Sequence, residues 1–331
     1  MSASRPASSC APRLVALCGG VGGAKLALGL ERAYGGAVSV VVNTGDDFEH
    51  LGLHVSPDID TVLYTLGGRS DLERGWGRAG ETWQFMKALH ELGGETWFQL
   101  GDRDLAMHVE RTRQLRAGVS LTEFTRSVAE RFGIAATILP MSDERVETTV
   151  ITPAGALSFQ RYFVENQCIP VVRRLEFRGT ERARMSDAVA AALRNPGLDA
   201  IIVCPSNPYL SIDPILAVPG MRAALKAAEV PVIVVSPLIG GQAVKGPTAK
   251  IMAELGVPAD SRALAAHYAG LIDGMVIDES DRADAAALDI PVCVAPTLMR
   301  TLEDRVRLAR TCADFAMQLR DQPSRAEGAG R

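Results

Sequence analysis

Two short stretches near the start of the chain carry residue types at spacings suited to phosphate chemistry. One is the turn Gly19-Gly20-Val21-Gly22-Gly23-Ala24-Lys25; the other is the acidic segment from Asp46 to Asp60. Four carboxylates, Asp46, Asp47, Asp58 and Asp60, fall within fifteen residues of each other. Like charges packed this closely repel unless a cation lies among them. Mg²⁺ meets that need, because it favours one or two carboxylates together with substrate phosphates. Plainer roles compete: Asp60 as a helix N-cap, Asp58 as a turn residue, or Asp46 gripping a ribose hydroxyl as an acid does in NAD enzymes.

The glycine turn fits neither well-known phosphate motif. Gly20 and Gly22 satisfy the start of G-x-G-x-x-G, but Lys25 stands where the third glycine is needed for close helix–strand packing. Counted as a P-loop from Gly19, the sixth residue is Ala24 and Leu26 follows Lys25. The physics shared by both motifs survives: glycines let the backbone approach a phosphate at a helix N-terminus, where unpaired N–H groups and the dipole favour negative charge. Gly20, Gly22 and Gly23 would form that cradle and Lys25 would add a cation. The alternative is a tight strand–helix turn with no ligand.

These stretches need strands to hold them, and the apolar runs supply them. Leu14–Cys18, Val38–Asn43, Ala200–Cys204, Val230–Ser236, Met275–Asp278 and Pro291–Ala295 read as short buried strands. Helical patterns alternate with them at Gly22–Arg32, from about Asp60, at Pro214–Ala217, Gly246–Leu255 and Leu302–Gln318. Continuous apolar strands alternating with helices predict an α/β fold: a Rossmann-like, doubly wound, mostly parallel sheet. Residues 78–133 break the rhythm with three helices, Glu81–Leu92, Asp104–Arg116 and Ser120–Phe132, the last opened by the capping box Ser120-Leu121-Thr122-Glu123. They read as an all-helical insertion, a lid on a core of residues 1–77 and 134–331. Alternating strands at Thr149–Ile151, Leu157–Phe163 and Val171–Phe177 read as a small antiparallel addition, and the polar tail Gln322–Arg331 as frayed.

In open α/β sheets, ligands bind beyond the carboxyl ends of the strands. Four small polar loops should therefore converge: the glycine turn, Asn43-Thr44-Gly45-Asp46-Asp47, Pro205-Ser206-Asn207-Pro208 and Ser236-Pro237-Leu238-Ile239-Gly240-Gly241. In the insertion, Gly101-Asp102-Arg103-Asp104 opens a helix, with Arg103 placed to reach a phosphate or the aspartates to cap. His54 and His108 are candidate ligands or proton carriers, against the commoner structural role of a lone histidine. Trp76, Trp83 and Trp97 are either core residues or an aromatic lid over a flat ring. No Ser/His/Asp or Cys/His arrangement argues for a covalent intermediate.

Bulk composition sets the frame. The 331 residues allow one large domain with an insertion or two modest ones, and 47% hydrophobic with 22% charged residues is ordinary for a globular chain. A formal net charge of −4 gives no electrostatic case for nucleic acid or an anionic membrane. No apolar run approaches the roughly 20 residues that span a bilayer. The Ser- and Ala-rich start runs through Leu14–Cys18 straight into glycines, which reads as a first strand and not a signal peptide. The six cysteines are scattered without metal-ligand spacing, so a reduced, cytoplasmic setting is expected.

Taken in order, Gly-Gly-Val-Gly-Gly-Ala-Lys (19–25), Asn-Thr-Gly-Asp-Asp (43–47), Pro-Asp-Ile-Asp-Thr (57–61), Tyr-Thr-Leu-Gly-Gly (64–68), Arg-Gly-Trp-Gly (74–77), Leu-Gly-Asp-Arg-Asp-Leu-Ala (100–106), Met-Ser-Asp-Glu-Arg-Val-Glu-Thr (141–148), Pro-Ser-Asn-Pro (205–208) and Ser-Pro-Leu-Ile-Gly-Gly (236–241) resemble the 2-phospho-L-lactate transferase family. The resemblance implies transfer of a phosphorylated three-carbon acid from a guanosine diphosphate conjugate to the terminal ribityl hydroxyl of the deazaflavin Fo. GMP leaves, and the product is the core of coenzyme F-420. It also implies Mg²⁺ held by Asp46 and Asp60 with Asp47 and Asp58 in support, and Asp46, Asp47 and Asp60 as the catalytic carboxylates. Asn43, Thr44, Asp102, Arg103 and Asp104 would approach the deazaflavin. Ser206, Asn207, Ser236 and Gly241 would line the nucleotide side, and a homodimer is the family expectation. Either Asp46 or Asp47 would stand near enough to take the hydroxyl proton. Phospholactyl, phosphoenolpyruvyl and phosphoglyceryl donors are all compatible with this pattern, and choice among them rests on pocket geometry. Two other readings compete: a nucleotide-sugar-binding regulatory protein of the same fold, and an NAD(P) oxidoreductase.

Overall fold

The computed structural model describes residues 11–244 and 246–321. The residues up to Cys10 and the polar tail from Gln322 lie outside the described residues. Seven strands form one sheet: β1 (Arg13–Cys18), β2 (Val38–Val42), β3 (Thr137–Pro140), β4 (Leu198–Val203), β5 (Val232–Val235), β6 (Gly274–Ile277) and β7 (Val292–Val294). Their order is β7-β6-β5-β4-β1-β2-β3. Every neighbouring pair is parallel. This is the Rossmann order extended by one strand, and its direction reverses between β1 and β4, where such sheets hold their ligands.

Burial on both faces explains the near-continuous apolar strands. Along β1, Leu14, Ala16 and Cys18 enter one core while Val15 and Leu17 enter the other, the two-residue alternation of a pleated strand. The first core is closed by α1 (Gly20–Tyr34), α2 (Pro57–Leu66) and the C-terminal helix Leu302–Asp321. α1 and the C-terminal helix touch so closely at Gly29 that a Cβ there would lie 2.1 Å from Arg305 O. α2 begins with Pro57, whose fixed φ and missing N–H suit the first turn.

Between α2 and β3 come α3 (Gln84–Glu91), α4 (Asp102–Arg116) and α5 (Leu121–Arg131), with no named strand between them among the described residues. α5 carries the capping box in full: Glu123 N–H donates to Ser120 Oγ at 3.1 Å, and Ser120 N–H donates to Glu123 Oε2 at 3.0 Å. Leu121, Phe124, Val128 and Ala129 of α5 pack into the first core.

The antiparallel addition is a three-stranded sheet with Glu147–Thr152 between Gly155–Ser158 and Arg174–Arg178. Two of its strands differ from expectation. The run Leu157–Phe163 leaves the sheet at Ser158 and coils into a π-turn, Arg161–Glu165, because Phe159 and Tyr162 repeat at a helical interval and both bury. The third strand starts at Arg174 and not Val171, since Val172 turns inward and its N–H binds Glu254 Oε2 at 2.9 Å. The edge strand β3 carries no expectation above; it is four residues long and ends at Pro140, a residue an edge can accommodate. Among the described residues no helix is long and apolar enough to cross a membrane.

Candidate functional site

The loops after β1, β2, β4 and β5 open onto one cavity of about 700 Å³. Gly20, Gly22 and Lys25 border it from the first loop, Asp46 from the second, Ser206 and Asn207 from the third, and Ser236 from the fourth. α2 adds Asp58, Asp60 and Tyr64, α4 adds Asp104 and His108, and the segment that follows the strand Gly155–Ser158 adds Phe159, Gln160 and Phe163.

The glycines of the first loop are explained by what crosses them. A Cβ on Gly22 would lie 2.5 Å from Pro205 O, and one on Gly23 would lie 2.4 Å from Ser206 Oγ. So β1's turn and β4's loop interlock at the reversal of the sheet. Ser206 Oγ donates to Gly19 O at 2.8 Å and accepts from Gly19 N–H at 3.1 Å. Gly20 differs from the others: its φ is +63° and no atom crowds it within 4 Å. Its N–H donates to Asp58 Oδ1 at 2.6 Å, so α1's first amide is capped by a carboxylate from the neighbouring helix.

Asp58 and Asp46 form a pair. One amide nitrogen, Asn43 Nδ2, donates to Asp46 Oδ1 and to Asp58 Oδ2, each at 2.9 Å. The two carboxylates therefore lie within a few ångströms of each other. Asn43 Oδ1 accepts from Gly45 N–H at 2.7 Å, which fixes the amide's orientation and the tight bend of the loop. Burial pushes Asp46 well above the ordinary carboxylate range, and the charges of Asp58 and Asp47 add to this. Burial likewise raises Asp58, to about 6, against the hydrogen bonds from Asn43 and Gly20. Two buried acids therefore share one neutral amide donor, and burial disfavours the ionised form of both. This is an environment that favours a bound divalent cation, and an all-oxygen donor set beside a phosphate-sized space fits Mg²⁺.

A second acidic group also borders the cavity, and Asp60 in it is paired with an arginine. Arg111, fully buried, forks onto both oxygens of Asp60. Burial works against the Arg111 charge, but Asp60 beside it more than compensates and holds its pKa above the usual value. Burial raises Asp60, opposed chiefly by Arg111. Tyr64 Oη donates to Asp104 Oδ1 at 2.6 Å, and His108 Nε2 lies 3.3 Å from Asp104 Oδ2. Burial would raise Asp104, yet these two neighbours outweigh it and keep it below the usual range. Asp60, Asp104 and His108 stand close enough to share an ion, with ligand atoms within 4.8 Å of one another. Arg111 already occupies Asp60, however, and an imidazole suits Mg²⁺ poorly.

The structure thus sorts the expected residues. Gly20, Gly22, Lys25, Asp46, Asp58, Asp60, Asp104, Ser206, Asn207 and Ser236 border the cavity. Asn43, Thr44 and Asp47 are buried just behind it. Asp47 accepts from Ser56 Oγ at 2.6 Å and lies 3.2 Å from His54 Nε2, which makes His54 a brace for that carboxylate. Gly23 is a packing contact, as above. Asp102 is turned to the start of α3, where it accepts from Thr82 Oγ1 and from the N–H groups of Gln84 and Phe85 at 3.1 and 3.0 Å. Arg103 is exposed and reaches Ala79 O at 3.4 Å. Gly241 N–H binds Asp281 Oδ1 at 3.1 Å in the hairpin beyond β5. Lys25 Nζ donates to Met299 O at 3.2 Å at the cavity edge. Trp76 borders the cavity and is 51% exposed, while Trp97 packs on Phe48, His50 and Phe98.

Sequence reasoning missed Tyr64, Arg111 and Gln160. The signal for the first two was helical spacing. Asp60 and Tyr64 are four apart on α2, and Asp104, His108 and Arg111 fall at i, i+4 and i+7 on α4, a polar stripe on a face that must be buried. Gln160 had no such signal, since a strand was expected there.

The profile described as 2-phospho-L-lactate transferase CofD matches residues 14–292. A phosphoenolpyruvate transferase from Kitasatospora aureofaciens is 43% identical over 319 residues, covering 93% of this chain and 99% of that protein. A 2-phospho-L-lactate transferase from Methanosarcina acetivorans is 40% identical over 312 residues, again covering 93% and 99%. The solved structure of a UPF0052 family member from Bacillus halodurans aligns with a TM-score of 0.60 over 92% of this chain and 99% of that one. At 14% identity it speaks for a shared fold alone. Matched over most of its length at this level of identity, the chain is a transferase and belongs to the 2-phospho-L-lactate transferase family.

Proposed function

We propose that the protein transfers a phosphorylated three-carbon acid from its guanosine diphosphate conjugate to the terminal ribityl hydroxyl of the deazaflavin Fo, with release of GMP. The observation that carries this reading is the Asp46–Asp58 pair on one Asn43 amide, set beside the start of α1 in a cavity of about 700 Å³. That volume suits a nucleotide conjugate and a flat acceptor together.

Attack of an alcohol on a diphosphate needs in-line placement and charge neutralisation more than a strong base. Mg²⁺, held by Asp46 and Asp58, would neutralise the donor's diphosphate as its P–O–P bond breaks and GMP departs. The amides at the start of α1 beyond Gly20 lack partners inside the helix, and they border the cavity at Val21 and Gly22, where they suit phosphate oxygens. Ser206, Asn207 and Ser236 frame the same end for the nucleotide. Of the two carboxylates considered for the hydroxyl proton, Asp46 alone borders the cavity, because Asp47 is held behind it by Ser56 and His54. Asp104 and Tyr64, also on the cavity lining, offer a carboxylate and a hydroxyl for the acceptor's polyol.

Mass spectrometry of the product made from Fo and each of the phospholactyl, phosphoenolpyruvyl and phosphoglyceryl donors tests the reading. An adduct of Fo with one acid, formed with equal GMP, is expected. No adduct with any of the three at saturating Mg²⁺ would overturn it.

A further inference from the structure

The antiparallel sheet is joined directly to the acidic loop. Thr148 N–H, on its central strand, donates to Gly45 O at 2.5 Å. The neighbouring strand Gly155–Ser158 runs into the π-turn Arg161–Glu165. Such wide turns are rare within helical segments and concentrate at functional sites. Here the chain around the turn places two rings on the cavity wall. Phe159 and Phe163 stack with centroids 5.3 Å apart and planes at 27°, and both border the cavity. Arg161 braces the outer side: its guanidinium lies 4.3 Å from the Trp97 ring centre and pairs with Glu95 and Glu165 at 3.3 and 2.7 Å.

Next to the first ring sits Gln160, only 4% exposed, whose Nε2 donates to the main-chain oxygen of Asp46 at 3.2 Å. One buried side chain therefore ties the aromatic wall to the loop that carries half of the carboxylate pair.

We propose that Phe163, backed by the stacked and buried Phe159 ring, forms the plate on which the acceptor's planar heteroaromatic ring stacks, and that Gln160 is a positioning residue through which ring binding sets Asp46 for its cation. This rests on the transfer to deazaflavin proposed above. A ring on this plate leaves its polyol chain free to run toward the Asp46–Asp58 pair, the direction the attacking hydroxyl must take. Because coupling between two binding events is reciprocal, bound deazaflavin must tighten cation binding by the same factor as the cation tightens deazaflavin.

The test uses the full chain and needs no turnover: deazaflavin binding is read by its fluorescence and cation binding by the EPR signal of Mn²⁺. Phe163→Ala is tolerable because Phe163 is 40% exposed. It should weaken deazaflavin binding by about ten-fold, the order of one lost ring stack, and leave GMP and Mn²⁺ binding within about two-fold. Gln160→Met keeps the size of the side chain and removes its donor. It should keep deazaflavin binding but cancel the tightening of Mn²⁺ that deazaflavin gives in the wild type. Deazaflavin binding unchanged in Phe163→Ala would overturn the plate. A Mn²⁺ response to deazaflavin equal in wild type and Gln160→Met, or absent from both, would overturn the positioning role. Failure of the transfer reading looks different: wild type then neither binds deazaflavin nor forms an adduct with any donor.

Discussion

Two acidic groups border the cavity, and they are built on opposite principles. In one, Asp46 and Asp58 share a neutral amide, and burial raises the proton affinity of both. In the other, Asp60 and Asp104 are matched by Arg111, His108 and Tyr64 within the protein itself. The second group is held by its own ion pair and hydrogen bonds and joins α2 to α4. In the first, burial makes ionisation of both carboxyls costly, a strain borne where chemistry happens. Equal numbers of carboxylates thus take different roles, decided by their partners.

Breaking the first group should abolish activity while sparing the fold. Asp46→Asn should lower transfer by about a thousand-fold or more, the order expected when charge stabilisation of the reacting phosphates is lost, and its circular dichroism should match the wild type. Turnover near the wild-type rate would remove Asp46 from the chemistry. Breaking the second group should do the reverse. Arg111→Met strands Asp60 as a buried unpaired charge and should cost about 3–5 kcal/mol in urea unfolding; a loss well below 1 kcal/mol would mean that the ion pair is not structural.

The pH dependence of the metal-free protein sharpens the contrast. Asp58 has a folded-state pKa of about 6 against an ordinary 3.8, so the folded form holds its proton more tightly than the unfolded one. That contribution is fully present below about pH 4 and is lost as pH rises through about 6. Stability without metal should therefore fall across this window by about 1–3 kcal/mol from this residue, and Asp58→Asn should flatten the fall. A profile unchanged by Asp58→Asn would show that the carboxylate is not strained. The smallest effect belongs to the scaffold: Tyr64→Phe removes one hydrogen bond to Asp104 and should cost about 1 kcal/mol in the same unfolding assay. Cation binding should be unmoved by it, and any change there would join the two groups.

Much of this arrangement was legible from residue types. Strands such as Val232–Val235 and Gly274–Ile277 are apolar throughout because both faces of the sheet are covered, and that pattern has few other meanings. The four converging loops followed from the rule that open sheets bind ligands at their carboxyl edge. The partition of the carboxylates was not legible. Asp46 and Asp60 were the expected Mg²⁺ ligands, with Asp47 and Asp58 in support; in the fold Asp58 shares the Asn43 amide with Asp46, while Asp60 meets Arg111 fifty-one residues away in sequence. Such a contact leaves no local periodicity to read. Asp102, Arg103 and Gly241 illustrate the same limit from the other side: each sits in a motif that borders the cavity, and each is spent on capping or packing. The π-turn after Ser158 was hidden because Phe159, Tyr162 and Phe163 suit a strand as well as a helix.

The central claim is that a divalent cation binds at Asp46 and Asp58 and not at the Asp60, Asp104 and His108 group. Calorimetric titration of Mg²⁺ in the presence of GMP, into wild type, Asp46→Asn and Asp104→Asn, tests it most directly. Asp104→Asn leaves the Arg111–Asp60 pair whole, so both variants should fold. Binding is predicted to vanish in Asp46→Asn and to persist within about three-fold in Asp104→Asn. Binding retained in Asp46→Asn and lost in Asp104→Asn would place the cation at the Asp60, Asp104 and His108 group and contradict the account.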